Sequence, residues 1–160
     1  MTQRAILSEG QGEILVDAEA RSIKIHTEAE FEGMRRAGQL AAKTLDYITE
    51  FVVPGVMTEK LDQLCAEFVS DHGAVSAPLN YRGYPKSVCI SVNHVVCHGI
   101  PGDKVLGEGD LVNIDVTPLL DGWHGDSSRM FFVGDVGVKA RRLVDVTYEA
   151  MMRGINVVRP

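Results

Sequence analysis

An alternating stretch at residues 110–117, followed at once by an Asp121-Gly122 turn, constrains this chain more than any other feature. Val112, Ile114 and Val116 make one face of a strand, and Asn113, Asp115 and Thr117 make the other. Asp-Gly is a strong two-residue hairpin signal, because a type I′ turn needs positive φ at both central positions. With those two residues as the loop, Leu120 faces Trp123, Thr117 faces Asp126 and Asp115 faces Ser128. Asp115 and Asp126 then project from one face as diagonal neighbours, with Cα atoms about 7 to 8 Å apart. Pro118 cannot donate to the ladder, and a bulge there would shift the register by one residue.

Two readings of that face stand side by side. Antiparallel sheets often have a wet side, on which two acids carry no special meaning. Against this, close acids on a face without Lys or Arg repel each other unless a cation lies between them. Asp126 also sits within His124-Gly125-Asp126-Ser127-Ser128, whose small residues leave room for something to approach the backbone. Oxygen ligands suit hard or borderline divalent ions, and two shared carboxylates suit a dinuclear site. Two aspartates are too few for two metals, and no later His or Glu cluster follows in the 160 residues.

The rest of the chain reads as one domain by length, or as a piece of a larger one. The net charge is -6, with Lys and Arg scattered as singles and pairs, which argues against nucleic acid as a primary partner. No apolar run approaches the roughly 18 to 20 residues that span a bilayer, and the N-terminus lacks the apolar stretch of a signal peptide. Cys65, Cys89 and Cys97 form no disulfide-like framework, which suits a reducing cytoplasm. Cys97-His98 has no C-x-x-C or H-x-x-x-H partner, so a zinc finger is not indicated.

Residues 1–26 read as an N-terminal extension of low structural content, and residues 27–160 as the domain proper. Thr27 and Glu30 form a capping box that opens a helix. Its apolar stripe runs through Met34, Ala41, Leu45, Ile48 and Val52, and Pro54-Gly55 ends it. Thr58 is a candidate N-cap for a second helix carrying Leu61, Leu64, Cys65 and Phe68 and stopping near Asp71-His72-Gly73. Short β-like runs follow from Ala74 to Val133, including 88–92, 110–116 and 129–133. A helical period returns after Gly134, with Val144, Tyr148, Met151, Met152 and Ile155 on one side. The first helix runs into Phe51-Val52-Val53-Pro54-Gly55 and the last into Val157-Val158-Arg159-Pro160. This short echo suggests a helix-helix-sheet unit whose second copy is cut off as it begins.

Four blocks now carry a resemblance. They are Gly83-Tyr84-Pro85-Lys86-Ser87-Val88-Cys89-Ile90-Ser91-Val92-Asn93; Val95-Val96-Cys97-His98-Gly99-Ile100-Pro101; Gly109 to Val116; and Asp121-Gly122-Trp123-His124-Gly125-Asp126. In this order they resemble the bacterial-type methionine aminopeptidases over residue 27 to the end. The resemblance implies an α+β pita-bread fold, two pseudo-symmetric halves around a dinuclear metal centre. The first half would have an antiparallel sheet with flanking helices, and the second would be truncated. It implies that Asp115 chelates one metal, that Asp126 bridges two, and that His98 contacts the substrate near the scissile peptide and aids catalysis. Read alone, a histidine after Val-Val-Cys is a core or turn histidine. Tyr81, Tyr84 and Cys89 match positions lining the methionine pocket, where aromatic and sulfur surfaces suit a thioether. Read alone, the tyrosines around Arg82-Gly83 are loop packing. Asn93 and Val95 match a loop that holds a monovalent cation in some members.

The chain also departs from that pattern. Pro78 stands where some relatives have a pocket cysteine. The family's remaining metal ligands, a histidine and two glutamates, and its second substrate-contacting histidine belong to the second half. The expected function is removal of the initiator methionine from nascent proteins in the cytoplasm, at the ribosome, with two divalent ions (Co, Mn, Fe or Zn). No membrane or nucleic-acid sequence is expected as a partner. The alternatives are a catalytically inactive fragment or relative serving as a binding module, and an X-Pro peptidase of the same fold. The Tyr-Arg-Gly-Tyr-Pro-Lys-Ser run favours the methionine enzyme.

Overall fold

The computed structural model describes residues 3–5, 13–16 and 22–159. Strands β1 (Gln3–Ala5), β2 (Glu13–Val16) and β3 (Ser22–Ile25) pair antiparallel in the order β1-β2-β3. The expectation of low structural content before residue 26 is therefore corrected for these described segments.

Helix α1 (Glu28–Ile48) begins on the capping box read from the sequence. The Thr27 amide donates to Glu30 Oε2 at 2.8 Å, and the Glu30 amide donates to Thr27 Oγ1 at 3.4 Å. Its buried stripe is Gly33, Ala37, Leu40, Ala41, Thr44, Leu45 and Ile48, while Met34 is about half exposed. Small residues occupy the N-terminal half of the stripe because the hairpin presses directly on the helix there. A Cβ on Gly33 would lie 2.4 Å from Trp123 Nε1, so the indole lies on bare backbone. A 3₁₀ turn, Thr49–Phe51, carries the chain to Pro54-Gly55.

Helix α2 (Thr58–Asp71) is capped at Met57 rather than Thr58. The Thr58 hydroxyl is engaged elsewhere: it donates to the Gly102 carbonyl at 3.1 Å and accepts from the Gly102 amide at 3.0 Å. Leu61, Leu64, Cys65 and Val69 face inward, with Phe68 packed at the margin.

Strand β4 (Val75–Ser76) precedes a 3₁₀ turn, Tyr81–Gly83, and then come β5 (Cys89–Val92), β6 (Leu111–Val116), β7 (Pro118–Leu120), β8 (Trp123–His124) and β9 (Ser127–Phe132). They form two antiparallel sheets, β4-β7-β8 and β5-β6-β9. The register agrees with the sequence: Leu120 pairs with Trp123 and Asp115 with Ser128, with φ of 50° at Asp121 and 83° at Gly122. Pro118 does not shift it, because the Pro118 carbonyl accepts the Gly125 amide at 2.9 Å and the same pairing resumes at Ser127. The ladder does break at Thr117 and at Gly125-Asp126, where the paired strands pass from one sheet to the other.

Val112, Ile114 and Val116 are completely buried, and meet Val88, Ile90, Leu45, Ile48, Leu61 and Cys65 in the main core beneath α1 and α2. Each such side chain contributes about 1.5 to 3 kcal/mol by its removal from water. Helix α3 (Val138–Asn156) follows, as its period predicts. None of its residues is buried, and Tyr148, Met151 and Ile155 are half exposed or more.

Candidate functional site

The interruption between the two sheets opens a cleft of about 860 Å³. Six residues singled out from the sequence line it, Tyr81, Tyr84, Cys89, His98, Asp115 and Asp126, whereas Asn93 and Val95 lie outside it. The six come from four segments. The turn at 81–84 supplies the tyrosines, β5 supplies Cys89, the loop after β5 supplies His98, and the hairpin supplies the aspartates.

Asp115 and Cys89 are register partners across β5 and β6, so carboxylate and thiol share one face. Burial holds the Asp115 carboxyl above the ordinary aspartate range; the charge of Asp126 raises it further, and His98 opposes both. The thiol of Cys89 is likewise raised, chiefly by burial, with the nearby Tyr84 hydroxyl only partly opposing, and so stays protonated at neutral pH. The cleft thus joins a carboxylate that resists ionisation to a neighbouring negative charge. A cation between them would offset the repulsion that helps to raise Asp115.

Asp126 is exposed at the break in the ladder, and its position is set by its neighbour. A Cβ on Gly125 would lie 2.0 Å from the Ala37 carbonyl oxygen of α1. The small residue at 125 does leave room for a close approach to the backbone, and what approaches is the chain's own helix α1. His98 is exposed and has φ 52°, a left-handed conformation uncommon for a residue with a side chain. Tyr81 is 63% exposed with the Arg82 guanidinium over its ring at 5.4 Å, whereas Tyr84 is half-buried.

His124 also lines the cleft and was not among the sequence candidates. The period of two in the hairpin puts it on the same face as Asp126, a signal that sufficed to find it. Asp62 was missed as well, because its role depends on contacts far away in sequence. It is almost fully buried on α2 and accepts the amides of Ser87 and Val88 at 2.8 and 2.9 Å, fixing the entry to β5. Lys86 beside it pairs with Glu59 at 2.7 Å.

The donor set fits a divalent metal in part. Two carboxylates beside a histidine suit an oxygen-preferring ion, but among the described residues no cluster of three or more His, Cys, Asp or Glu side chains converges as a complete site.

Metallopeptidase family M24 matches residues 32–160, and the chain belongs to this family. It is 63% identical over 139 residues to a methionine aminopeptidase of Rickettsia prowazekii, a match covering 87% of this chain and 54% of that protein. The chain spans about half the length of the curated relatives it matches. Its fold superimposes on the crystal structure of methionine aminopeptidase from Rickettsia prowazekii with a TM-score of 0.85 and 64% identity, over 86% of this chain and 56% of that one. It also superimposes on an Xaa-Pro dipeptidase from Bacillus anthracis with a TM-score of 0.75 and 25% identity, over 84% and 37% of the two chains. The α+β pita-bread architecture, with antiparallel sheets and flanking helices, is thereby established. As a metallopeptidase family, M24 implies divalent metal ions. Among the described residues no helix is long and apolar enough to cross a membrane.

Proposed function

We propose that residues 27–160 are the leading part of the catalytic domain of a methionine aminopeptidase, preceded by an extension at 1–26. The reaction is hydrolysis of the peptide bond after the initiator methionine of nascent polypeptides, as they leave the ribosome in the cytoplasm. The observation that carries this reading is the convergence of Asp115, Asp126, His98, Tyr84 and Cys89 on one cleft in a chain so similar to named methionine aminopeptidases.

In this reading Asp115 would chelate one divalent ion and Asp126 would be shared between two, drawn from Co, Mn, Fe or Zn. Such ions, when bound, supply Lewis-acid polarisation of the scissile carbonyl and a water of lowered pKa. His98 reaches from its loop to hydrogen-bond the substrate beside the scissile bond and to steady the developing oxyanion. The rings of Tyr81 and Tyr84 and the neutral thiol of Cys89 receive the methionine side chain, for which soft, polarizable walls are suited.

The alternative reading is a binding module without turnover. One experiment separates the two. The chain is continued by the remaining part of the Rickettsia prowazekii relative and assayed with Met-Ala-Ser, Leu-Ala-Ser and Xaa-Pro peptides. The aminopeptidase reading expects metal-dependent release of Met alone, lost in Asp126→Asn, with far slower turnover by the 160-residue chain itself. Cleavage restricted to Xaa-Pro peptides, or no metal-dependent cleavage by the hybrid, refutes it.

A further inference from the structure

Tyr84 lines the cleft with its ring, but its hydroxyl is committed to the backbone. Oη lies 3.0 Å from the Val88 carbonyl oxygen and 3.0 Å from the Gly99 carbonyl oxygen. A phenol has one proton to donate, so the two acceptors share it and the oxygen is held between them. Val88 leads into β5, whereas Gly99 belongs to the loop that returns past that strand.

Gly99 is attached to β5 at further points. Its carbonyl also accepts the Ile90 amide at 2.9 Å, and its own amide donates to Ser91 Oγ at 3.1 Å. A Cβ at this position would lie 2.2 Å from the Ile90 carbonyl oxygen, so the two backbones meet at a distance only glycine permits. The residue immediately before this attachment is His98, held in the left-handed region. Such a conformation persists where the surroundings over-determine it, and the bonds at Gly99 do so. On the far side, Asp62 grips the Ser87 and Val88 amides, so the strand end that Tyr84 holds is itself tied to α2.

We propose that the Tyr84 hydroxyl is a positioning group for His98: bridging Val88 and Gly99, it fixes the backbone beside His98 and hence the direction in which the imidazole enters the cleft. Its relevance to catalysis rests on the aminopeptidase reading above; the positional relationship does not. Burial, followed by the nearby Cys89 thiol and carboxylates, raises the phenol well above its ordinary range, so it remains a proton donor throughout neutral and mildly alkaline pH.

The test is Tyr84→Phe in the 160-residue chain, read by NMR without metal. The expected result is that the imidazole signals of His98 and the amide signals of 97–100 shift and broaden. Amide exchange at Ile90 and Gly99 should quicken at least about tenfold through local opening, while His26 and His72 signals remain in place. Ser91→Ala, which loosens Gly99 from the other side, should reproduce this His98-centred pattern and serves alone if Tyr84→Phe does not fold. Unchanged His98 signals, or equal disturbance at His72 and along α1, overturn the proposal. None of these readouts depends on turnover. A hybrid that releases no methionine would therefore sink the functional reading and leave the positional one standing, and the converse holds.

Discussion

Cys89 and Asp115 face each other as register partners on β5 and β6, placing a buried-side thiol and a carboxyl on the same wall of the cleft. The consequence is electrostatic. Because the folded-state pKa of Asp115 is raised, its contribution to stability is fully present below the ordinary aspartate value of about 3.9 and is lost as pH rises through the raised value. At pH 7 without metal, Asp115→Asn should therefore be at least as stable as the parent chain. That advantage should shrink as the pH falls, and urea titrations in chelator at pH 4 to 7 measure it. A parent chain more stable than the variant at pH 7 in chelator contradicts the assignment.

Asp62 anchors the start of β5 from within the core. Asp62→Ala leaves two buried amides without an acceptor and should cost about 3 kcal/mol. Asp62→Asn keeps an oxygen acceptor and should cost about 1 kcal/mol. Its pKa too is raised, chiefly by burial, so the cost of Asp62→Asn should increase on acidification, as the parent carboxyl takes up its proton. Denaturant midpoints of both variants across pH 4 to 7 check the order and the sign.

Gly125 is the point where the hairpin meets α1, and a Cβ there has nowhere to go except into the Ala37 carbonyl. Gly125→Ala should destabilise by about 3 kcal/mol, since backbone must move to admit it. Gly102→Ala serves as the control, because a Cβ at Gly102 meets nothing within 4 Å. Thermal unfolding of the pair tests the difference.

Thr27→Ala removes one half of the capping box and should cost about 1 kcal/mol. Its reciprocal partner Glu30 has its pKa lowered to about 2, by Lys24 first and the Thr27 amide next. The Glu30 contribution is present above the ordinary glutamate value of about 4.3 and is lost as pH falls through about 2. Amide exchange in the first turn of α1 should accordingly quicken in the variant at neutral pH, and in the parent only at strongly acid pH.

The hairpin register could be read in advance because an Asp-Gly loop permits few turn types, and a turn type fixes every pair behind it. The shared face of Asp115 and Asp126 followed from that turn, and the core face of β6 from the alternation of Val112, Ile114 and Val116. Much else depended on contacts between residues distant in sequence. Thr58 looked like an N-cap until Gly102, 44 residues on, engaged its hydroxyl. Met34 fitted the helical period, but the stripe turned toward Gly33 and Ala37 because Trp123 and Gly125 demanded bare backbone there. Asp62 and the hydroxyl of Tyr84 gave no local signal at all, since both act on backbone groups of other segments. His124 was legible from the period of two and overlooked.

In the proposed reading, Asp115 and Asp126 together form a partial divalent-metal site even in this chain alone. Paramagnetic broadening by Mn²⁺ measures it directly, because it registers weak binding and locates the ion. Broadening should centre on Asp115 and Asp126, reach His98 and Cys89, and be abolished in Asp115→Asn/Asp126→Asn. Broadening that persists in the double variant, or that centres on another part of the surface, contradicts it.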